Sequence, residues 1–254
     1  MPPDAPSLPD AKPSDVKPSD VRLLDARGVD AGYGTMQVLW GVDLDVRPGE
    51  TVLLLGANGA GKTTFLKSLV GLIDTRQGHI ALSGHEVTHM RSSDRMRLGM
   101  TYMSELAVFP DLSIEENLKV GAQALGHANP GARTEELYDL FPVLREKRRN
   151  AASSLSGGQR KMLGIAKALA AEPKLLVMDE PSAGLSPLLV KEVIQVLSRL
   201  QKQGLALLIA EQNIGFLNVA TRVFVLEGGR IRFSGTVAEM TDNEALRRAY
   251  FGLK

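Results

Sequence analysis

Gly56-Ala57-Asn58-Gly59-Ala60-Gly61-Lys62-Thr63 follows directly on the apolar run Thr51 to Leu55 and opens a helical pattern with Phe65, Leu66, Leu69 and Val70 on its inner side. The spacing is G-x-x-x-x-G-K-[ST], in the context that motif needs: a buried strand, a tight loop and the first turn of a helix. Glycines let successive backbone N–H groups converge, and the positive end of the helix dipole strengthens the anion nest they form. Lys62 is spaced to reach the β- and γ-phosphates of a nucleoside triphosphate such as ATP, and the Thr63 hydroxyl to ligate Mg²⁺; Thr64 joins the same nucleotide-binding set.

The rest of the chain fits an α/β fold around that unit. Val52 to Leu55, Leu175 to Met178, Leu205 to Ala210 and Val223 to Leu226 are short, strongly apolar runs, as expected of strands buried on both faces. Between the second and third runs, Leu189, Val193, Val196, Leu197 and Leu200 fall on one helical face, with Lys191, Glu192, Gln195 and Arg199 opposite and Gly204 as a stop. Strand, helix and strand in that order imply parallel pairing. Leu112 to Leu144 reads as helices broken by Gly and Pro, so a helical subdomain over about 112–165 is expected as an insertion. Residues 1–21 hold six prolines and the tandem pentapeptide Lys12 to Val16 and Lys17 to Val21, and read as a disordered tail; the folded domain is expected over 22–254.

Bulk properties narrow the function. Thirty Lys and Arg against 29 Asp and Glu give a net charge of +1, which argues against nucleic-acid binding by bulk charge. The absence of cysteine removes disulfide scaffolds, thiol nucleophiles and Cys-ligated zinc. No apolar run approaches the ~18 residues of a membrane span, and the amino terminus lacks the apolar core of a secretory signal. A cytoplasmic protein is expected.

Two further features surround the phosphate loop. The run Leu175 to Met178 ends in Asp179-Glu180. Buried strands rarely end in adjacent carboxylates without a use, because unpaired charge near a core is costly. Asp179 is placed to hold Mg²⁺ through its water shell, and Glu180, one residue on, to polarise an attacking water as general base. Upstream, Leu155-Ser156-Gly157-Gly158-Gln159 opens a helix with Met162, Ile165, Ala166 and Leu169 on one face. Ser156 is a candidate N-cap, but two glycines weaken a first helical turn by about 1 kcal/mol each. An anion site donated to another subunit's nucleotide would account for them, although it lacks a lysine.

With these three motifs the chain resembles the ATP-binding subunits of ABC transporters over about residues 23–254. "AGYGTMQVL", "EPSAGLSP" and "AYFGL" make it most similar to the shorter ATPase subunit of branched-chain amino-acid importers. The resemblance implies a P-loop NTPase with a RecA-like core, an antiparallel β subdomain and the inserted helical subdomain. It implies a head-to-tail dimer with a second ATPase subunit, identical or not, in which each ATP lies between one phosphate loop and the partner's Ser156, Gly157, Gly158 and Gln159. The partners implied are transmembrane permease subunits and, indirectly, a periplasmic solute-binding protein, with the chain peripheral on the cytoplasmic face of the inner membrane. Tyr33 matches the aromatic that stacks on adenine, and residues 181–185 match the loop that lines the dimer interface.

Two positions depart from the family pattern. Glu105, with Ser104 as runner-up, falls where the family usually has a Mg²⁺-ligating glutamine. Gln212 stands where most members carry a histidine at the γ-phosphate; its amide can donate a hydrogen bond but cannot relay a proton. That substitution is typical of the shorter branched-chain subunit and leaves the base role with Glu180. His85-Glu86-Val87-Thr88-His89 spells H-E-x-x-H, but Gly84 and the strand-like Ile80 to Leu82 argue against the helix a zinc site needs. Arg145, Lys147, Arg148 and Arg149 read as a solvated helix end. Importers of urea, short amides or other amino acids, a non-transport ABC ATPase and a binding-only subunit are the alternatives.

Overall fold

The computed structural model describes residues 21–104, 107–124 and 130–251. The tail expected at residues 1–21 lies almost wholly outside the described residues. The chain opens with the antiparallel pair β1 (Leu24–Tyr33) and β2 (Met36–Val46), followed by β3 (Thr51–Leu55) and α1 (Lys62–Leu69). It returns through β4 (Thr75–Leu82), β5 (His85–Glu86) and α2 (Ser92–Arg97) to β6 (Met100–Met103). Helices α3 (Ile114–Gln123), α4 (Pro130–Leu140), α5 (Pro142–Glu146) and α6 (Gly157–Leu169) come next. The core then resumes with β7 (Leu175–Asp179), α7 (Pro187–Lys202), β8 (Ala206–Glu211), β9 (Arg222–Glu227) and β10 (Arg230–Thr236), and ends in α8 (Val237–Asp242) and α9 (Glu244–Phe251).

Two sheets result. One is antiparallel in the order β2-β1-β4-β5; the other runs β10-β9-β3-β8-β7-β6, parallel except for β10. The four apolar runs of the sequence are β3, β7, β8 and β9, all in the second sheet. Their side chains divide strictly by strand alternation. Leu53, Leu55, Leu176, Met178, Leu207, Ile209, Val223 and Val225 join the core packed against α3, α6 and α7. Val52, Leu54, Leu175, Val177, Leu208, Phe224 and Leu226 join the core shared with α1 and the antiparallel sheet. Both faces are covered, so the strands read as continuous apolar runs rather than alternating ones.

The helix starts follow from capping. Ser113 with Glu116 and Ser156 with Gln159 form reciprocal capping boxes at α3 and α6, while Ser186 caps α7 ahead of Pro187. His85 and Glu86 lie in β5 and His89 in the turn after it, so H-E-x-x-H shares no helix face. Among the described residues no helix is long and apolar enough to cross a membrane.

Two arginines, Arg222 partly buried and Arg95 fully buried, tie the sheets to the loop-bearing strand and helix. Arg222 at the start of β9 pairs with Glu50 and Asp45, and these carboxylates hold its pKa up against the opposing effect of burial. Arg95 of α2 is 2% exposed and donates to Ser68 O (2.8 Å), Leu69 O (2.6 Å), Thr88 O (2.9 Å) and Met90 O (3.1 Å). It therefore caps the carboxyl end of α1, where a cation complements the helix dipole, and burial draws its pKa down. Arg95→Met would leave these carbonyls short of a donor, and a loss of about 3 kcal/mol is expected. Thermal unfolding should show a melting point lower by about 6–12 °C; an unchanged transition would contradict the capping role.

Candidate functional site

The loop between β3 and α1 is built on backbone that side chains disfavour. Gly61, the residue before α1, has φ of +107°, and a Cβ there would lie 2.9 Å from Leu39 Cδ2. Gly229 N donates to Ala60 O (3.0 Å), pinning the loop to the turn between β9 and β10. Lys62 is only 4% exposed. Its Nζ donates to Gly56 O (2.9 Å) and Ala57 O (3.3 Å) and pairs with Glu180 Oε1 at 3.1 Å.

The two acids at the end of β7 have different surroundings. Asp179 is buried; its Oδ2 accepts from the Tyr102 hydroxyl at 3.1 Å, while its Oδ1 is buried and accepts no hydrogen bond. Burial raises its pKa, the Thr63 and Tyr102 hydroxyls pull it down, and the adjacent Glu180 charge raises it; the net direction is up. An orphaned carboxylate oxygen beside a threonine hydroxyl suits a hard cation with oxygen ligands, so Asp179 and Thr63 fit Mg²⁺. Glu180 instead leaves a third of its side chain exposed and sits at φ +47°. Left-handed backbone costs a non-glycine residue on the order of 1–3 kcal/mol and persists only where the surroundings hold it. Here Glu180 N donates to Ala210 O (2.9 Å), and Glu180 O accepts from Lys161 Nζ (3.1 Å) and Ala183 N (3.1 Å).

A cleft of about 710 Å³ gathers Asn58, Gly59, Gly61, Lys62, Thr63 and Thr64 with Tyr102, Ser104, Asp179 and Glu180. A smaller one of about 370 Å³ places Gln212 with Asn58, Glu180 and Ser182. Glu105 lies outside the described residues; Ser104 lines the larger cleft. Tyr33 stands 42% exposed at the end of β1, and the cleft wall on the β2 side is Val38.

Residues 156–159 line neither cleft within one chain. Lys147 Nζ donates to Gln159 Oε1 at 3.2 Å, so this helix start does have a lysine, and the basic cluster is more than a solvated end. Arg145 likewise pairs with Glu135 and Asp139. At Gly158 a Cβ would lie 2.4 Å from Leu189 Cδ1 of α7, so any larger residue there displaces the end of that side chain. At Gly157 nothing lies within 4 Å, and no packing explains that glycine. The sequence alone does not mark Tyr102 or Glu211 as site residues. Tyr102 reaches Asp179 only because β6 and β7 are neighbours, a pairing between residues 77 positions apart.

Strand, loop, helix and paired acids on a mostly parallel sheet define a P-loop nucleoside triphosphatase. A family model described as ABC transporter matches residues 39–183. The branched-chain amino acid transport ATP-binding protein BraG of Pseudomonas aeruginosa is 38% identical over 222 residues, covering 87% of this chain and 95% of BraG. The lipopolysaccharide export ATP-binding protein LptB of Haemophilus influenzae is 34% identical over 224 residues, covering 87% and 93%. A solved ATP-binding subunit of an ABC transporter superposes with a TM-score of 0.77 at 28% identity, covering 91% and 96%. The chain belongs to the ABC transporter ATP-binding family, whose members hydrolyse ATP as subunits working with permeases.

The raised pKa of Asp179 carries a stability consequence. A carboxyl whose native pKa lies above its unfolded value favours the fold while protonated and loses that contribution as pH rises through the native pKa. Asp179→Asn is therefore expected to melt at a higher temperature than the parent at about pH 7.5, with the difference closing below about pH 4. ATP turnover should fall at the same time. Calorimetric melts across that range, with no metal added, check the sign; a lower melting point at neutral pH would reverse it.

Proposed function

We propose that the chain is the ATP-hydrolysing subunit of an importer for branched-chain or related amino acids. In this reading Gly56 to Thr64 hold the ATP phosphates, Tyr33 stacks on adenine, and Thr63, Asp179 and the residue at 105 hold Mg²⁺, which when bound neutralises phosphate charge. Lys62 exchanges Gly56 O and Glu180 for phosphate oxygens, which frees the Glu180 carboxylate. Glu180 takes a proton from water as the water oxygen bonds the γ-phosphorus, and the bond from that phosphorus to the β–γ bridging oxygen breaks, leaving ADP and phosphate. Gln212 donates an amide hydrogen bond to the γ-phosphate. Ser156, Gly157, Gly158 and Gln159 serve the ATP of a second ATPase subunit, whether a like or an unlike copy. The subunit works on the cytoplasmic face of the inner membrane, attached to permease subunits fed by a periplasmic binding protein.

The single observation behind the chemistry is the left-handed Glu180, held 3.1 Å from the phosphate-loop lysine. Support for the solute class is the likeness to BraG together with Gln212 and the "EPSAGLSP" segment. The likeness to LptB at 34% favours a second reading, a lipopolysaccharide exporter's ATPase. Glu180→Gln is expected to cut ATP turnover at least about 100-fold while leaving ATP binding intact. In cells deleted for the gene, leucine uptake should be lost, then restored by the parent chain and not by E180Q. Normal leucine uptake with an altered outer-membrane lipopolysaccharide would favour the second reading instead.

A further inference from the structure

Glu211, the last residue of β8, is 2% exposed yet carries a carboxylate with no cationic partner among the described ion pairs. Every hydrogen bond it is seen to accept comes from a main-chain N–H. Oε1 accepts from Ser182 N (2.8 Å); Oε2 accepts from Gln212 N (3.1 Å) and Asn213 N (3.2 Å). The two oxygens thus grip two different loops, the one after Glu180 and the one bearing Gln212. Asp179 and Ala210 are register partners on adjacent parallel strands, so Glu180 and Glu211 leave the sheet side by side. Burying a carboxylate without a counter-charge is costly, and three convergent N–H donors are what make it tolerable.

We propose that Glu211 is a positioning residue for ATP hydrolysis, a carboxylate clamp that fixes the Glu180 loop and the Gln212 loop relative to each other. The proposal rests on Glu180 being the general base. Glu180 occupies left-handed backbone, which relaxes unless its flanks are held. Ala210 O and Lys161 hold it at its own peptide groups, and Glu211 holds it two residues on, at Ser182. The same side chain sets the first two N–H groups of the Gln212 loop. Glu180, Ser182, Glu211, Gln212 and Asn213 then line one small cleft beside Asn58 of the phosphate loop. Loosening the clamp moves the water-activating carboxylate and the amide against the fixed phosphate loop, which costs rate more than nucleotide affinity.

The test uses the purified full chain, with steady-state ATP hydrolysis, binding of a fluorescent ATP analogue and thermal melting. Glu211→Gln keeps the shape but has one acceptor oxygen and turns an NH₂ toward an N–H donor. Its kcat is expected to fall about tenfold or more, with KM and analogue affinity within about threefold of the parent. Glu211→Asp, which keeps the charge, should recover part of that loss, and it is read in place of E211Q if E211Q fails to fold. Leu197→Ala, in the α7 core, controls for lost stability and should leave kcat near the parent value. A parental kcat in E211Q, a KM that rises in step with the fall in kcat, or an equal kcat loss in L197A would each overturn the clamp. Glu180→Gln is measured in parallel. Loss of turnover in E180Q with normal E211Q sinks the clamp alone, whereas turnover retained by E180Q sinks the reading on which it rests.

Discussion

A buried ammonium organises this molecule. Lys62 lies almost wholly out of water, and charge removed from water must be met by oriented dipoles or an opposite charge. Gly56 O and Ala57 O supply the dipoles and Glu180 the charge. For those groups to converge, the loop needs glycine backbone, and the ends of β3 and β7 must come level. β8 lies between them, paired with β3 on one side and with β7 on the other. The strand order is therefore not neutral with respect to function: a sheet without β8 between β3 and β7 would place the two acids elsewhere.

What keeps that convergence rigid lies away from the cleft. Alternate side chains of β3, β7, β8 and β9 are committed to two separate cores, so a one-residue slip would exchange their contents and is strongly resisted. Arg95 fixes the far end of α1, and Arg222 ties the β3 side of the sheet to β2. Both commit a guanidinium to carbonyls or carboxylates of the fold. A loop built mainly of small residues has little packing of its own, and its precision is imported from these supports.

Much of this was legible in the sequence because it depends on local pattern. The strand–loop–helix unit, the acids closing an apolar run, the capping serines and the period of α7 are each written within a few residues of one another. The contributions that local pattern does not carry are those made across distance. Tyr102 is an unremarkable residue in a short strand until β6 is set beside β7. Glu211 is one more acid after an apolar run until its three donors are known. Lys147 looked like part of a basic helix end because nothing in the local sequence directs it to Gln159, twelve residues on and in another helix. Nothing in the local sequence shows that Leu189 of α7 comes to rest against Gly158. The helical segments expected over about 112–165 correspond to α3, α4, α5 and α6. Glu105 and all of the tail repeat but Val21 lie outside the described residues.

The contrast between the two adjacent acids follows from strand geometry and decides what each can do. Asp179 is still within β7, so its side chain is committed to one face of the sheet and buried against Tyr102, where ionisation is disfavoured and an oxygen is left without a donor. Glu180 is the first residue past the strand, and its left-handed backbone breaks the alternation that would otherwise send its side chain to the opposite core. Its carboxylate comes out beside Lys62 instead, with a third of the side chain exposed. A cation can compensate the first carboxylate, and water can reach the second. Had residue 180 kept extended backbone, strand alternation would turn its side chain toward the core opposite Asp179, so the left-handed backbone at that one residue keeps apart the two roles proposed for these acids.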